Sequence, residues 1–183
     1  MMGRELSQET ISPLKLAHFV LRAKHFEVTR NWYVEFLGAH VVFENAMLSF
    51  LTFDEEHHRL AIVNLPDSEE QKPGQQGLDH VAFTHRSLAD LLATYRRLER
   101  GGVTPYWCIN HGPTTSMYYR DPEGNQVEFQ ADNFEKVEDL QAWFSSDAFA
   151  ANPLGVTFDP EKLVERFERG DPIEELLRQG ATD

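Results

Sequence analysis

One order of elements is written twice along this chain, and that repetition restricts the fold more than any other feature. Residues 14–21 alternate in polarity as a strand does, with Leu14, Leu16, His18 and Val20 on one face. From His25 to Leu37 the apolar residues Val28, Trp32, Tyr33 and Leu37 recur at helical spacing, and Gly38 stands where a C-cap belongs. Three short strands are predicted next, around 39–45, 47–53 and 57–64. The segment 66–76 is polar, carries Pro and Gly, and reads as a linker. The order then returns. A strand over 78–85 puts Leu78, His80, Ala82 and Thr84 on one face, and a helix over 87–100 carries Leu91, Leu92, Tyr95 and Leu98 before Gly101-Gly102. Strands near 103–109, 114–120 and 125–131 complete the second copy. Aligning Asp54 with Asp121 lays Phe50 over Met117 and Ala61 over Glu128. The expected class is α+β: paired βαβββ modules, about 13–65 and 77–132, forming one curved mixed sheet around a shared cleft.

Beyond Asn133 the pattern changes to a helical C-terminal extension, 133–183. Residues 134–144 read as a helix with Val137, Leu140 and Trp143 on one side. Asp159-Pro160 supplies an N-cap and a proline at the first helical position, opening a helix with Leu163, Val164 and Phe167 that Gly170 stops. Asp171-Pro172-Ile173-Glu174 reads as a further start in capping-box style. Helices this short need a surface to lie on, either the outer sheet face or another subunit.

Composition narrows the function. A formal net charge of -13 opposes phosphate backbones, so nucleic acid is excluded as a partner. Cys108 is the single cysteine, so no internal disulfide can form and a reducing, cytoplasmic home is expected. The N-terminal run Met1-Met2-Gly3-Arg4 has no apolar signal core, and no apolar run is long enough for a bilayer, so no membrane is expected.

Chemistry concentrates in the second copy. Ile109-Asn110-His111 reads as a turn carrying a histidine, and Met117-Tyr118-Tyr119-Arg120 as a strand carrying a tyrosine. Asp121-Pro122-Glu123-Gly124 is a tight reversal, and Asn125-Gln126-Val127-Glu128 a strand delivering one carboxylate. Glu128 points opposite to Val127 and Phe129, so it faces the cleft if those two are core. Such a carboxylate is costly to bury unpaired, and a cation removes that cost. His18 and His80 hold equivalent places in the first strand of each module, which pseudo-twofold packing would bring together. Two histidines and one carboxylate with open positions form the facial triad of non-haem iron(II) oxygenases. Mn(II), Zn(II) or Co(II) would accept the same donors.

The motif from His111 to Glu128, with His18 and His80 upstream, resembles that of type I extradiol ring-cleaving dioxygenases. These belong to the vicinal oxygen chelate superfamily (glyoxalase/bleomycin resistance/extradiol dioxygenase). The resemblance covers about residues 13–132 and is closest to compact, single-domain, biphenyl-2,3-diol 1,2-dioxygenase-like forms, without the extra non-catalytic repeat pair of larger members. It implies a vicinal oxygen chelate fold and an enzyme that uses Fe(II) at His18, His80 and Glu128. The reaction implied inserts both atoms of O2 into a catechol-type, 2,3-dihydroxybiphenyl-like aromatic diol, within aromatic hydrocarbon catabolism. It further implies His58 as the acid–base residue, with His57 competing by one position; strand alternation would send these two to opposite faces. His111 would contact the substrate or its intermediates, and Tyr118 would bond a substrate oxygen. A homo-oligomer is expected. Tyr106, Trp107 and Cys108 are candidates for the pocket wall. Two alternatives share the fold: a divalent-metal glyoxalase-like isomerase, lyase or epimerase, and a metal-free binding protein of the resistance type. Ala61, where a glyoxalase-type isomerase would carry a fourth ligand, argues against the first.

Overall fold

The computed structural model describes residues 9–70, 72, 74 and 76–182. The N-terminal run and, within the linker, Gln71, Pro73 and Gln75 lie outside the described residues. The first module runs β1 (Phe19–Ala23), α1 (Phe26–Leu37), β2 (His40–Glu44), β3 (Leu48–Thr52) and β4 (Leu60–Asn64). The second runs β5 (His80–His85), α2 (Leu88–Arg100), β6 (Trp107–Asn110), β7 (Thr114–Arg120) and β8 (Gln126–Asp132). The remainder holds α3 (Val137–Phe144), α4 (Asp147–Ala151), β9 (Val156–Thr157), α5 (Pro160–Glu168) and α6 (Ile173–Leu176).

Each module closes on itself: β1 pairs parallel with β4, and β5 parallel with β8, while the other pairings within the modules are antiparallel. The orders are β1-β4-β3-β2 and β5-β8-β7-β6-β9. The single curved sheet expected from the sequence is therefore two mixed sheets. No backbone ladder joins them among the described residues; β1 and β5 are both edge strands, and side chains such as Phe19 and Phe83 (ring centroids 6.0 Å) span the gap between the modules.

The strand predicted over 14–21 begins only at Phe19, because alternation makes a strand only where a partner exists. Its partner β4 starts at Leu60, since residues 53–59 curl around Asp54, which accepts from the Glu56 backbone N–H and is bonded by Arg59. Leu14 and Leu16 are left exposed, while Arg59 holds the carbonyls of Leu16 and Ala17. Helix α1 ends at Gly38 and α2 starts at Ser87, whose hydroxyl accepts from the Asp90 N–H.

The two modules share one core. Phe36 of α1 stacks on Phe129 of β8 (4.3 Å) and meets Tyr119 of β7 edge-on (5.1 Å). The Asp121-Pro122-Glu123-Gly124 reversal is more than a turn. The Asp121 carboxylate accepts from the Glu123 and Asn125 backbone N–H groups, the Asn125 amide and, across the module boundary, the Tyr33 hydroxyl of α1. Glu123 accepts from the His25 backbone N–H (2.6 Å) and the Thr29 hydroxyl, placing a carboxylate at the N-terminus of α1 where the helix dipole favours it.

The extension packs on its own chain: Leu163, Val164 and Leu176 enter the core, and Glu161 of α5 pairs with Arg96 and accepts from the Tyr95 hydroxyl of α2. It is not wholly helical, because β9 adds to the edge of β6. The capping box expected at Asp171 does not form; Pro172 occupies the cap, and the Asp171 carboxylate binds Arg166 and Arg169.

Candidate metal centre

Strand register fixes which residues of the two modules correspond. Glu128 pairs with Ala82 and Tyr118, and Ala61 pairs with Val20 and Phe50. His80 and His18 both lie two residues before the strand position that faces this site. Phe50 therefore corresponds to Tyr118, one residue away from the alignment that counting from Asp54 and Asp121 gives; the first module has an extra residue between β3 and its turn. Its equivalents of the Tyr118–Glu128 pair are Phe50 and Ala61, so the polar half of the site is built by one module.

In β7 and β8 the alternation sorts side chains cleanly. Tyr119, Val127 and Phe129 belong to the core, and Tyr118 and Glu128 take the opposite face, both nearly covered (6% and 4% exposed). Glu128 Oε2 lies 3.0 Å from His80 Nε2, while His80 Nδ1 lies 2.7 Å from the Asp79 carboxylate. Each ring nitrogen thus faces a carboxylate; with a cation between Nε2 and Glu128, Nδ1 would keep its proton toward Asp79. Metal-ligating histidines are held this way, by a second carboxylate on the far ring nitrogen. Asp79 was not foreseen as a site residue; its place directly before His80 was the only signal available.

Tyr118 packs beside His80 (5.3 Å, edge-on) and its hydroxyl lies 3.1 Å from His111 Nε2. Burial, and then the charge and hydrogen bond of Glu128, push the phenol well above its ordinary pKa. Trp107 lies against Tyr118 (4.9 Å) and meets His111 edge-on. Tyr106 is also a neighbour of Tyr118, with its hydroxyl bonded to Gln126. Cys108 alternates away from Trp107 into the core, so it does not line this wall.

His18 and His58 form a second group on the first module. Their rings are 4.2 Å apart, and His58 stacks on Phe50 (4.4 Å, 11°). His57 and His58 do not point to opposite faces: their Nδ1 atoms are 2.6 Å apart, because both precede β4 in the turn, where strand alternation does not operate. Burial, reinforced by the neighbouring His18 and His57, lowers the His58 pKa. Among the described residues no three His, Cys, Asp or Glu side chains converge tightly enough to hold a metal ion. Two of the expected donors, His80 and Glu128, are in contact, whereas the His18 ring rests on His58.

The donor set suits a divalent cation: a covered carboxylate, an imidazole nitrogen presented to it by an acidic residue, and His18 at the matching position of the other module. His111, Tyr118 and Trp107 lie along one side of it.

Comparison with known proteins bears on the family and the fold. Residues 15–129 match the family model described as Glyoxalase/Bleomycin resistance protein/Dioxygenase superfamily. The chain is 44% identical over 163 residues to biphenyl-2,3-diol 1,2-dioxygenase 2 of Rhodococcus globerulus, covering 88% of this chain and 86% of that one. It is 43% identical to biphenyl-2,3-diol 1,2-dioxygenase 3 of the same organism, covering 91% and 88%. Among solved structures, lactoylglutathione lyase from Agrobacterium tumefaciens shares the fold at a TM-score of 0.54 and 20% identity, covering 65% of this chain and 94% of that one. A glyoxylase/bleomycin resistance protein/dioxygenase domain from Frankia sp. EAN1pec does so at 0.57 and 18%, covering 68% and 96%. With its paired modules and a family match across both, the chain belongs to the glyoxalase/bleomycin resistance protein/dioxygenase superfamily.

Proposed function

We propose that this protein is an extradiol ring-cleaving dioxygenase that uses Fe(II) to insert both atoms of O2 into a catechol-type, biphenyl-2,3-diol-like substrate. The observation that carries the reading is the His80–Glu128 pair, backed by Asp79, in a chain so similar to biphenyl-2,3-diol 1,2-dioxygenases. His18, His80 and Glu128 are the residues that would hold the ion, with the His18 imidazole turning from His58 toward its counterpart. Fe(II), when bound there, supplies a single centre on which diol and dioxygen meet and exchange electrons.

The chain's own residues do the rest. Asp79 keeps the proton on His80 Nδ1 and leaves Nε2 free to coordinate. Tyr118, holding its proton through neutral pH, would turn its O–H from His111 and Glu128 to donate to a deprotonated substrate oxygen. His111, bonded to Tyr118, orients that hydroxyl and would contact the substrate or its intermediates. His58, neutral at neutral pH and stacked on Phe50, is the nearby base that takes the second diol proton and returns it. The covered setting of Glu128 and Tyr118 strengthens each of these interactions.

Protein loaded anaerobically with Fe(II) and then given 2,3-dihydroxybiphenyl and air should form a yellow product and consume one O2 per ring opened. Turnover without oxygen, or with zinc alone, would instead favour a glyoxalase-like isomerase. His18→Ala, His80→Ala and Glu128→Ala should lose iron, whereas His58→Gln and His111→Asn should retain it and slow turnover; equal metal loss in all five would contradict the assignment. A homo-oligomer in the cytoplasm is part of the proposal, supported by edge strand β2, where Val41, Val42 and Phe43 are all exposed. No helix among the described residues is long and apolar enough to cross a membrane.

A further inference from the structure

We infer that the C-terminal extension is a working part of the site: the backbone carbonyl of Leu154 sets the tautomer of His111. His111 Nδ1 lies 2.5 Å from the Leu154 carbonyl oxygen, and its Nε2 lies 3.1 Å from the Tyr118 hydroxyl. A carbonyl oxygen can only accept, so the proton must sit on Nδ1. In the neutral ring Nε2 then carries the lone pair and faces the Tyr118 hydroxyl, whose one proton lies between the two acceptors His111 and Glu128. Without such a partner, nothing on the far side of the ring would select this tautomer.

The segment that delivers the carbonyl is built for the approach. Strand β9 runs along β6, with Val156 paired to Asn110, which brings residues 154–155 beside the loop carrying His111. Gly155 adopts φ +113, and a Cβ there would lie 2.3 Å from the Asn110 carbonyl oxygen and 2.7 Å from His111 Cα. Only glycine permits both the backbone conformation and the contact. Asn152 closes the bend from the other side: its amide donates to the Gly155 carbonyl (2.7 Å) and its oxygen accepts from the Gly155 N–H (3.1 Å). Behind the loop, buried Asn110 donates to the Leu177 carbonyl and accepts at its own carbonyl from Gln179. Gly112, directly after His111, has the Trp143 indole of α3 against it, where a Cβ would come within 2.4 Å. Three separate parts of the extension thus hold the two-residue neighbourhood of His111.

The alignment with the Rhodococcus globerulus dioxygenase extends past the repeated modules. A match over 163 of 183 residues has to include the segment around Leu154, whereas the lyase structure covers 65% of the chain. Leu154 and Gly155 act through His111 and are positioning residues. The catalytic consequence rests on the role proposed for His111; the tautomer does not.

The test is nitrogen NMR of the metal-free, full-length chain labelled with 15N-histidine, with the His111 signals identified by their loss in His111→Asn. The expected result is a single Nδ1–H tautomer in the wild type. Gly155→Ala and, more mildly, Asn152→Ala should move the ring toward the Nε2–H form that free histidine prefers. In Fe(II)-loaded enzyme both variants should lower kcat, by about 10–100-fold for Gly155→Ala, with KM changed less than about twofold. A wild-type ring that is Nε2-protonated or a free-histidine mixture overturns the inference, and so does a folded Gly155→Ala protein that keeps the wild-type tautomer. Should Gly155→Ala fail to fold, the wild type and Asn152→Ala decide. The expected tautomers in a protein that opens no catechol would retain the inference and remove the dioxygenase reading.

Discussion

The Tyr33 hydroxyl of the first module donates to the Asp121 carboxylate of the second at 3.0 Å, with both side chains buried. Burial raises the Asp121 pKa against the lowering effect of its donors. Four donors converge on two oxygens, so no position tolerates an amide N–H in place of an acceptor. Asp121→Asn should therefore destabilise the fold by about 2–3 kcal/mol, which for a chain of this size lowers Tm by roughly 4–12 °C. Tyr33→Phe, which removes one donor and no charge, should cost about 1 kcal/mol. Calorimetry of the two variants checks the order, and an Asp121→Asn protein as stable as wild type would show that the turn does not tie the modules.

Asp79→Ala leaves every proposed ligand in place and removes the group that orients His80, along with a long contact to the Gln126 amide. Its affinity for divalent metal should fall about 10–100-fold while stability changes little, because the Asp79 side chain is largely exposed. Competition titration against a chelator measures this; unchanged affinity would leave Asp79 as a surface charge.

Tyr118→Phe keeps the ring contacts with Trp107 and His80 and deletes the hydroxyl between Glu128 and His111. The expected effect is a kcat about 10–100-fold lower with metal content unchanged, as for loss of one donor to developing charge. Steady-state oxygen uptake alongside metal analysis separates this from loss of the ion.

Cys108 is a buried thiol whose pKa burial pushes up to about 12. The folded state keeps this proton up to that pH, whereas an unfolded chain releases it near 9. Cys108 therefore contributes a loss of stability as pH rises from about 9 toward 12, and none below. At pH 8 a thiol reagent should label native protein at least about 1,000-fold more slowly than denatured protein. Rapid native labelling would place Cys108 at the surface.

Periodicity was enough to read the repeated module, both long helices and the strands β7 and β8, because each buries one face and the apolar spacing records it. Glu128 and Tyr118 could be assigned a face for the same reason: Val127, Phe129 and Tyr119 claim the core. What escaped was whatever depends on a partner from elsewhere in the chain. The start of β1 is set by where β4 begins, and β4 by the Asp54 turn. The His57–His58 contact exists because that turn replaces strand alternation. Strand β9 is two residues long and carries no pattern of its own. The carbonyl of Leu154 has no sequence signature, since any residue would supply it; only the Asn152 and Gly155 pair marks the bend.

The register of the modules has a further consequence for how this molecule is held together. One unit has kept the carboxylate and the phenol, and the other has replaced them with alanine and phenylalanine while keeping one imidazole. An ion gripped by His18 from one side and by His80 and Glu128 from the other would work as a staple across a seam that no backbone ladder crosses among the described residues. Its departure would loosen the halves, so heat resistance should track iron occupancy as closely as catalysis does.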